Sequence, residues 1–177
     1  MDVYIGADHG GFRLKSELIS YIRELGHGVV DLGADELDQS DDYPDIVLKL
    51  KDEISRLPEL EHFRGILICS SGIGMCIASN KVDGIRSASC QNPETAYFAR
   101  LHNDINVLCL AGLRSNTDSI EKVTEGDYAD LIEAGMNVAN FNEAKRIVKV
   151  FLETDTEAST DTRHLRRLEK ISQVEQK

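Results

Sequence analysis

Gly65-Ile66-Leu67-Ile68-Cys69-Ser70-Ser71-Gly72-Ile73-Gly74 is the stretch on which the fold turns. Its first five residues form a continuous, largely aliphatic run with no polar alternation, which reads as a strand buried on both faces. Small residues and two glycines follow, and Met75–Val82 then reads as a helix. A strand covered on both faces requires helices on both sides of its sheet.

The same punctuation repeats on either side. Val3–Ala7 is a short apolar run closed by Asp8-His9-Gly10-Gly11. From Phe12 the residues Leu14, Leu18, Ile19, Ile22 and Leu25 recur at helical spacing, and Gly26 ends that helix. Val29–Gly33 gives a second strand, 34–42 a polar loop, and Pro44 opens a helix with Ile46, Val47, Leu50 and Ile54 on one side. Ile85–Cys90 is the fourth strand. Asn92-Pro93 supplies an N-cap and a proline for helix 93–102, and Val107–Ala111 is the fifth strand. Uninterrupted alternation predicts an α/β chain: a Rossmann-like three-layer sandwich with a five-stranded parallel sheet, helices on both faces and a C-terminal helical arm. Ligands of such sheets bind beyond the carboxyl ends of the strands. Asp8 and His9, Ser70 to Gly74, Gln91 and Asn92, and Arg114 all follow strands in this way.

With 177 residues the chain makes one domain, large enough for a core without staples. Lys and Arg number 20 against 31 Asp and Glu, a net charge of −11, which argues against a nucleic-acid partner. No apolar run approaches membrane-spanning length. Met1-Asp2-Val3-Tyr4 enters a strand directly, with no secretory signal, so cytoplasmic location and reduced thiols are expected. Residues 142–153 form another helix, Asp127–Ala134 a short one, and 154–162 a polar linker. From 161 to 177 a basic arm carries five basic and three acidic side chains, with Leu165, Leu168, Ile171 and Val174 interleaved.

Cys69 stands at the mouth of the Ser70–Gly74 loop, whose backbone N–H groups suit an anion or a developing oxyanion. A thiol there is a candidate base or nucleophile; a tight turn around a buried cysteine is the plain alternative. Two other loops do not fit. The position six after Cys69 is Met75, where a phosphatase loop needs arginine, and Ile77 stands where a dinucleotide fingerprint needs glycine. Cys76, Cys90 and Cys109 lie in apolar runs and read as small core residues. Asp8-His9 can orient hydroxyls or move a proton, or simply cap a helix. His102 closes the fourth helix, where the helix dipole alone favours it. His27 and His62 read as surface residues.

Taken together these segments resemble the ribose-5-phosphate isomerase B family, which includes galactose-6-phosphate and allose-6-phosphate isomerases. The matching residues are Gly6–Phe12, Asp42-Tyr43-Pro44-Asp45, Arg64–Cys69, Gly72–Met75, Asn80-Lys81, Gly84-Ile85-Arg86, His102-Asn103-Asp104 and Arg163-His164 with Arg167. The resemblance implies an aldose–ketose isomerase for ribose 5-phosphate and ribulose 5-phosphate, working through an enediolate without metal or cofactor. It assigns Cys69 as base and His102 to ring opening with Asp8 nearby. Ser71 and the N–H groups through Gly74 would stabilise the enediolate. Ser70, Gly72, Ile73, Tyr43 and Asn103 would line the sugar, and His9, Arg114, Arg163, His164 and Arg167 the phosphate end. It further implies a homodimer or dimer of dimers in which the arm reaches a partner's site.

The chain departs from the family pattern at Ser70-Ser71, at Thr160-Asp161-Thr162 before the arm, and in an acidic insertion over 117–140. A six-carbon sugar phosphate on the same scaffold is the near alternative. A phosphotransfer protein carrying phosphate on Cys69, and a non-catalytic sugar-phosphate sensor, are the readings from other classes.

Overall fold

The computed structural model describes residues 1–57, 63–114, 137–138, 140–157 and 160–175. The expected helix at Asp127–Ala134, most of the 117–140 insertion, and His62 lie outside the described residues.

The elements run β1 (Asp2–Ala7), α1 (Phe12–Glu24), β2 (Gly28–Asp31), α2 (Tyr43–Ile54), β3 (Arg64–Cys69), α3 (Ile73–Ser79), β4 (Ser87–Ser89), α4 (Pro93–Asn103) and β5 (Val107–Ala111). Then come β6 (Leu113–Arg114), β7 (Asn137–Val138), α5 (Phe141–Glu153) and α6 (Thr162–Glu175). The main sheet has the order β2-β1-β3-β5-β4 and is parallel throughout, while β6 and β7 form an antiparallel pair of their own.

The central strands are buried on both faces, as their composition predicts. Alternate residues divide between two cores. Val3, Ile5, Ile66, Ile68, Leu108 and Leu110 meet α1, α4 and α5. Tyr4, Leu67, Cys69, Val107 and Cys109 meet α2 and α3. Each large aliphatic side chain fully buried in this way contributes about 1.5–3 kcal/mol before entropy is counted. β4 is shorter than the expected run 85–90. Ile85 donates to the carbonyl of Val82 in a turn, and the Arg86 N–H goes to the Asn106 side chain at 2.9 Å.

Two local features seat the loops. The Asn92 side chain accepts from the Thr95 N–H at 2.8 Å, as an N-cap should. At the end of β5, a Cβ on Gly112 would lie 2.2 Å from the Gly10 carbonyl oxygen and 2.7 Å from the Gly11 Cα. Only glycine lets the turn after β1 rest on the end of β5.

At the opposite edge a buried arginine, Arg100, binds the Asp104 carboxylate at 2.7 Å and the carbonyls of Ile105 and Thr154. Asp104 also takes the Arg86 guanidinium at 2.7 Å. The chain from α4 into β5 is thereby held rigidly against the start of α5's outgoing linker.

Candidate active site

β2 lies on one side of β1 and β3 on the other, so the winding of the chain reverses between β1 and β3. The crevice outside their carboxyl ends is where this architecture binds ligands. It holds the two loops singled out from the sequence.

Asp8 follows β1 and is buried. Its N–H donates to the Ile68 carbonyl at 3.2 Å, tying the turn to β3, and its Oδ1 accepts from the Gly10 N–H at 3.0 Å. Burial pushes the Asp8 carboxyl up to about 6; the neighbouring His9 opposes the rise and Asp41 adds to it. A carboxyl in that range is present in both protonation states near neutrality, which suits proton transfer.

His9 is pinned by a residue that the sequence reading left in a loop. One oxygen of Asp41, Oδ1, accepts from the His9 backbone N–H at 3.0 Å and lies 2.6 Å from the ring Nδ1. The other oxygen, Oδ2, is buried with no hydrogen-bond partner among the described residues. Holding a half-satisfied carboxylate is unfavourable, so the His9 contacts must offset it.

Cys69 ends β3, buried, and its Sγ accepts from the Gly72 N–H at 3.2 Å. Gly72 has φ of 75°, in the left-handed region, and a Cβ there would crowd the Leu110 carbonyl at 2.9–3.0 Å. The Ile73 N–H donates to Ser71 Oγ at 3.3 Å. Two of the N–H groups expected to face an anion therefore serve the loop itself in this structure. Ser70 is half-buried and Ser71 exposed. Tyr43, the first residue of α2, lays its ring against Gly74, where a Cβ would stand 2.9–3.1 Å from the ring carbons. Asp8, His9, Tyr43 and the Cys69–Gly74 loop thus share one crevice.

The backbone of Arg114 begins close by, since the Gly112 N–H donates to the Cys69 carbonyl at 2.8 Å. Its side chain lies outside the described residues.

His102 and Asn103 are elsewhere. α4 starts beyond the carboxyl end of β4 and returns, so its last turn lies at the amino edge of the sheet. Val107, four residues after Asn103, pairs with Gly65 and Ser87 at the beginnings of β3 and β4, whereas Cys69 pairs with Ala111 at the far end. At ~3.3 Å per residue, roughly 13 Å of strand separates the two ends. The expectation that Asp8 lies near His102 therefore fails within one protomer; the crossover geometry of a parallel sheet forbids it.

The arm sits with His102, not with Cys69. The His102 and His164 rings stack with centroids 4.5 Å apart and planes 2° from parallel, and Phe98 lies 5.4 Å from His102. His164 is buried, with Arg163 Nη2 at 3.3 Å and Asp161 Oδ2 at 3.7 Å from its Nε2. Asn103, Arg163 and Arg167 are exposed.

The family model described as Ribose/Galactose Isomerase matches residues 3–171. The crystal structure of ribose-5-phosphate isomerase B from Mycoplasma genitalium with bound ribulose-5-phosphate superposes with a TM-score of 0.78 at 31% identity, covering 99% of this chain and 97% of that one. Ribose-5-phosphate isomerase B from Clostridium thermocellum gives a TM-score of 0.76 at 32% identity, with 99% and 98% covered. A D-erythrulose-4-phosphate isomerase of Pectobacterium atrosepticum is 36% identical over 130 residues, 73% of this chain and 83% of that protein.

Proposed function

The chain belongs to the ribose/galactose isomerase family, and we propose that within it the protein interconverts ribose 5-phosphate and ribulose 5-phosphate through an enediolate. The observation that carries this reading is the near full-length likeness to a relative whose crystal structure holds ribulose-5-phosphate. It is joined to a buried Cys69 and Asp8 at the switch point of this sheet.

In this reading Cys69 removes the proton from the carbon next to the sugar carbonyl and returns it to the neighbouring carbon. The oxygens of the enediolate meet N–H groups and the Ser71 hydroxyl in the 71–74 loop, each well-placed donor worth about 3–4 kcal/mol in the transition state. Asp8, poised near neutrality, exchanges a proton with the sugar oxygens. Tyr43 holds a hydroxyl. His9, fixed by Asp41, and Arg114 meet the phosphate end.

His102, Asn103, Arg163 and Arg167 then act on the crevice of a second copy. The amino edge of one protomer carries the ring-opening histidine and two exposed arginines, and the carboxyl edge of the other carries the base. Ile73 and Ile77 on α3, and Tyr97 and Phe98 on α4, are exposed apolar side chains near these two surfaces and suit such an interface. Bidentate arginine geometry matches a phosphate monoester.

The direct test is interconversion of the two pentose phosphates by the wild-type chain and by Cys69→Ala, with chelator present. Turnover that collapses in the variant supports the reading; a wild type inert on both sugars overturns the pentose assignment. Substrate length is the second reading. It is favoured by the four-carbon substrate in the name of the Pectobacterium relative and by the galactose in the family description. Erythrulose 4-phosphate and the allose and galactose 6-phosphates are the competitors to assay.

A further inference from the structure

The isomerase reading gives His102 a proton to carry, and a proton carrier must be aimed. α4 delivers His102 half-buried on its last turn, and Asp104, at φ of 46°, ends the helix two residues later. Among the described residues neither ring nitrogen of His102 has a hydrogen-bond partner, so its orientation rests on the rings packed against it. Phe98, one turn earlier on α4, lies 5.4 Å away and is tilted by 31°. His164, from the arm, lies 4.5 Å away and 2° from parallel, ring on ring. A swing of the His102 ring out of its plane would drive it into the face of His164.

His164 is itself built in. The Glu157 N–H donates to the Leu101 carbonyl at 3.0 Å, which ties the linker to the last turn of α4. The Asp161 N–H then donates to the Glu157 carbonyl at 2.9 Å and the His164 N–H to the Asp161 carbonyl at 3.0 Å. This chain of bonds sets His164 relative to His102. Arg163 Nη2 stands 3.3 Å from His164 Nε2. A guanidinium only donates, so Nε2 accepts and the ring is neutral. Asp161 Oδ2, 3.7 Å from the same nitrogen, is too far for a hydrogen bond. A neutral ring lets His102 take up and release a proton without facing a second imidazolium. The resemblance implies a phosphate contact for His164. Its ring is covered by its own chain, with the residue only 5% exposed, whereas Arg163 and Arg167 stand open.

We infer, on the reading in which His102 serves the crevice of a second copy, that His164 is a positioning residue for ring opening. Its face fixes the plane of His102, and it makes no bond to the phosphate. Opening the furanose of ribose 5-phosphate breaks the bond between C1 and the ring oxygen. The C1 hydroxyl loses a proton and becomes the aldehyde; the ring oxygen gains one and becomes the C4 hydroxyl. Nothing is oxidised or reduced. His102 carries one of these protons, and a displacement of ~1 Å at its nitrogen would cost about 10²-fold in rate. Ribulose 5-phosphate has its C5 oxygen esterified and forms no such ring. Proton exchange at its C1 therefore needs Cys69 and not His102.

The test compares two variants of the full chain: His164→Phe, a flat ring without hydrogen-bonding atoms, and His164→Gln, a polar side chain without a face. His164→Gln should lower kcat for ribose 5-phosphate by about 10–100-fold with KM little changed, and His164→Phe should recover most of that loss. In deuterium oxide, His164→Gln should still exchange the C1 hydrogen of ribulose 5-phosphate at close to the wild-type rate. Carbon-resolved proton NMR of the histidine rings reads the stack with no sugar present. The ring current of a parallel neighbour moves the His102 ring protons upfield; the shift should persist in His164→Phe and disappear in His164→Gln. The His102 signals are identified by their absence in His102→Gln. Equal kcat in the two variants, a raised KM that Gln repairs and Phe does not, or exchange that falls together with turnover overturns the inference. A wild type inert on both pentose phosphates strikes the substrate reading, whereas wild-type His102 protons without the upfield shift strike this one.

Discussion

The two edges of the sheet are built on opposite plans. At the carboxyl edge the polar groups point inward. Asp8 and Cys69 are buried, each is fixed by a backbone N–H, and glycines bring the loops into contact. At the amino edge the scaffold is rigid, with Arg100 and Asp104 locked together, but the residues of interest face outward: Asn103, Arg163 and Arg167 are exposed around the stacked histidines. One edge has a crevice with a buried thiol and carboxyl, and the other has exposed arginines and stacked imidazoles beside an open groove lined by Arg86 and Asn103. In the reading proposed above, the isomerase site is divided between these two edges, and two copies meeting around a two-fold axis would set each carboxyl edge against the partner's amino edge.

The largest effect expected is at the carboxyl edge alone. Cys69→Ala should reduce turnover by about 10²–10⁴-fold, the usual loss on removing a catalytic base, with an unchanged circular dichroism spectrum. Next comes the relation between the edges. Cys69→Ala and His102→Ala, each inactive by itself, should regain activity when mixed and allowed to exchange subunits. Random pairing gives half heterodimers with one intact site of two, so about a quarter of wild-type turnover should return. A mixture no better than the sum of its parts would mean that each site is made within one chain.

At the amino edge, Arg163→Ala with Arg167→Ala should raise KM for the phosphorylated sugar by about 10–100-fold, as lost charge-assisted hydrogen bonds of ~1.5–3 kcal/mol predict, with kcat less affected. Steady-state kinetics over a range of salt would read this directly. The fourth change concerns stability. Because burial raises the Asp8 pKa from 3.8 to about 6, the folded state holds this proton more tightly than the unfolded chain. Stability associated with it is therefore present below pH 4 and lost as pH rises toward and past 6. Asp8→Asn should raise stability above pH 6 by about 1–3 kcal/mol, measured by urea titration, while turnover falls; the gain should vanish below about pH 4. The smallest effect is at Asp41. Its replacement by Ala should loosen His9 and raise KM by a few fold, in line with one lost hydrogen bond of ~1 kcal/mol.

Much of the carboxyl edge was legible from residues alone. The apolar run ending in Cys69, the Asp8-His9-Gly10-Gly11 turn and the Asn92-Pro93 cap each carry a local signal, and local signals survive folding. Asp41 carries none. It is one of several acids in a polar loop, and its partner is 32 positions away. The position of His102 was readable but not read: a crossover helix runs antiparallel to its strands, so a residue four or five places before β5 must lie at the amino edge. Cys76 packs half-buried against the core on the α2 and α3 side, as its apolar run suggests, while its contacts with Asn80 and Ser87 come from the next turn and strand and carry no local signal. Local chemistry is written in the chain; pairings across the fold need the topology first.

Gly112 bears on how this scaffold changes over evolutionary time. The stretch 117–140, expected from the sequence as an acidic insertion, follows the point where Gly112 rests on Gly10 and Gly11. That contact fixes the spacing of the β1 and β5 ends upstream of the stretch. Length and composition can drift there without shifting Asp8 or Cys69. A side chain at position 112 would remove that insulation, and every later insertion would be felt at the base.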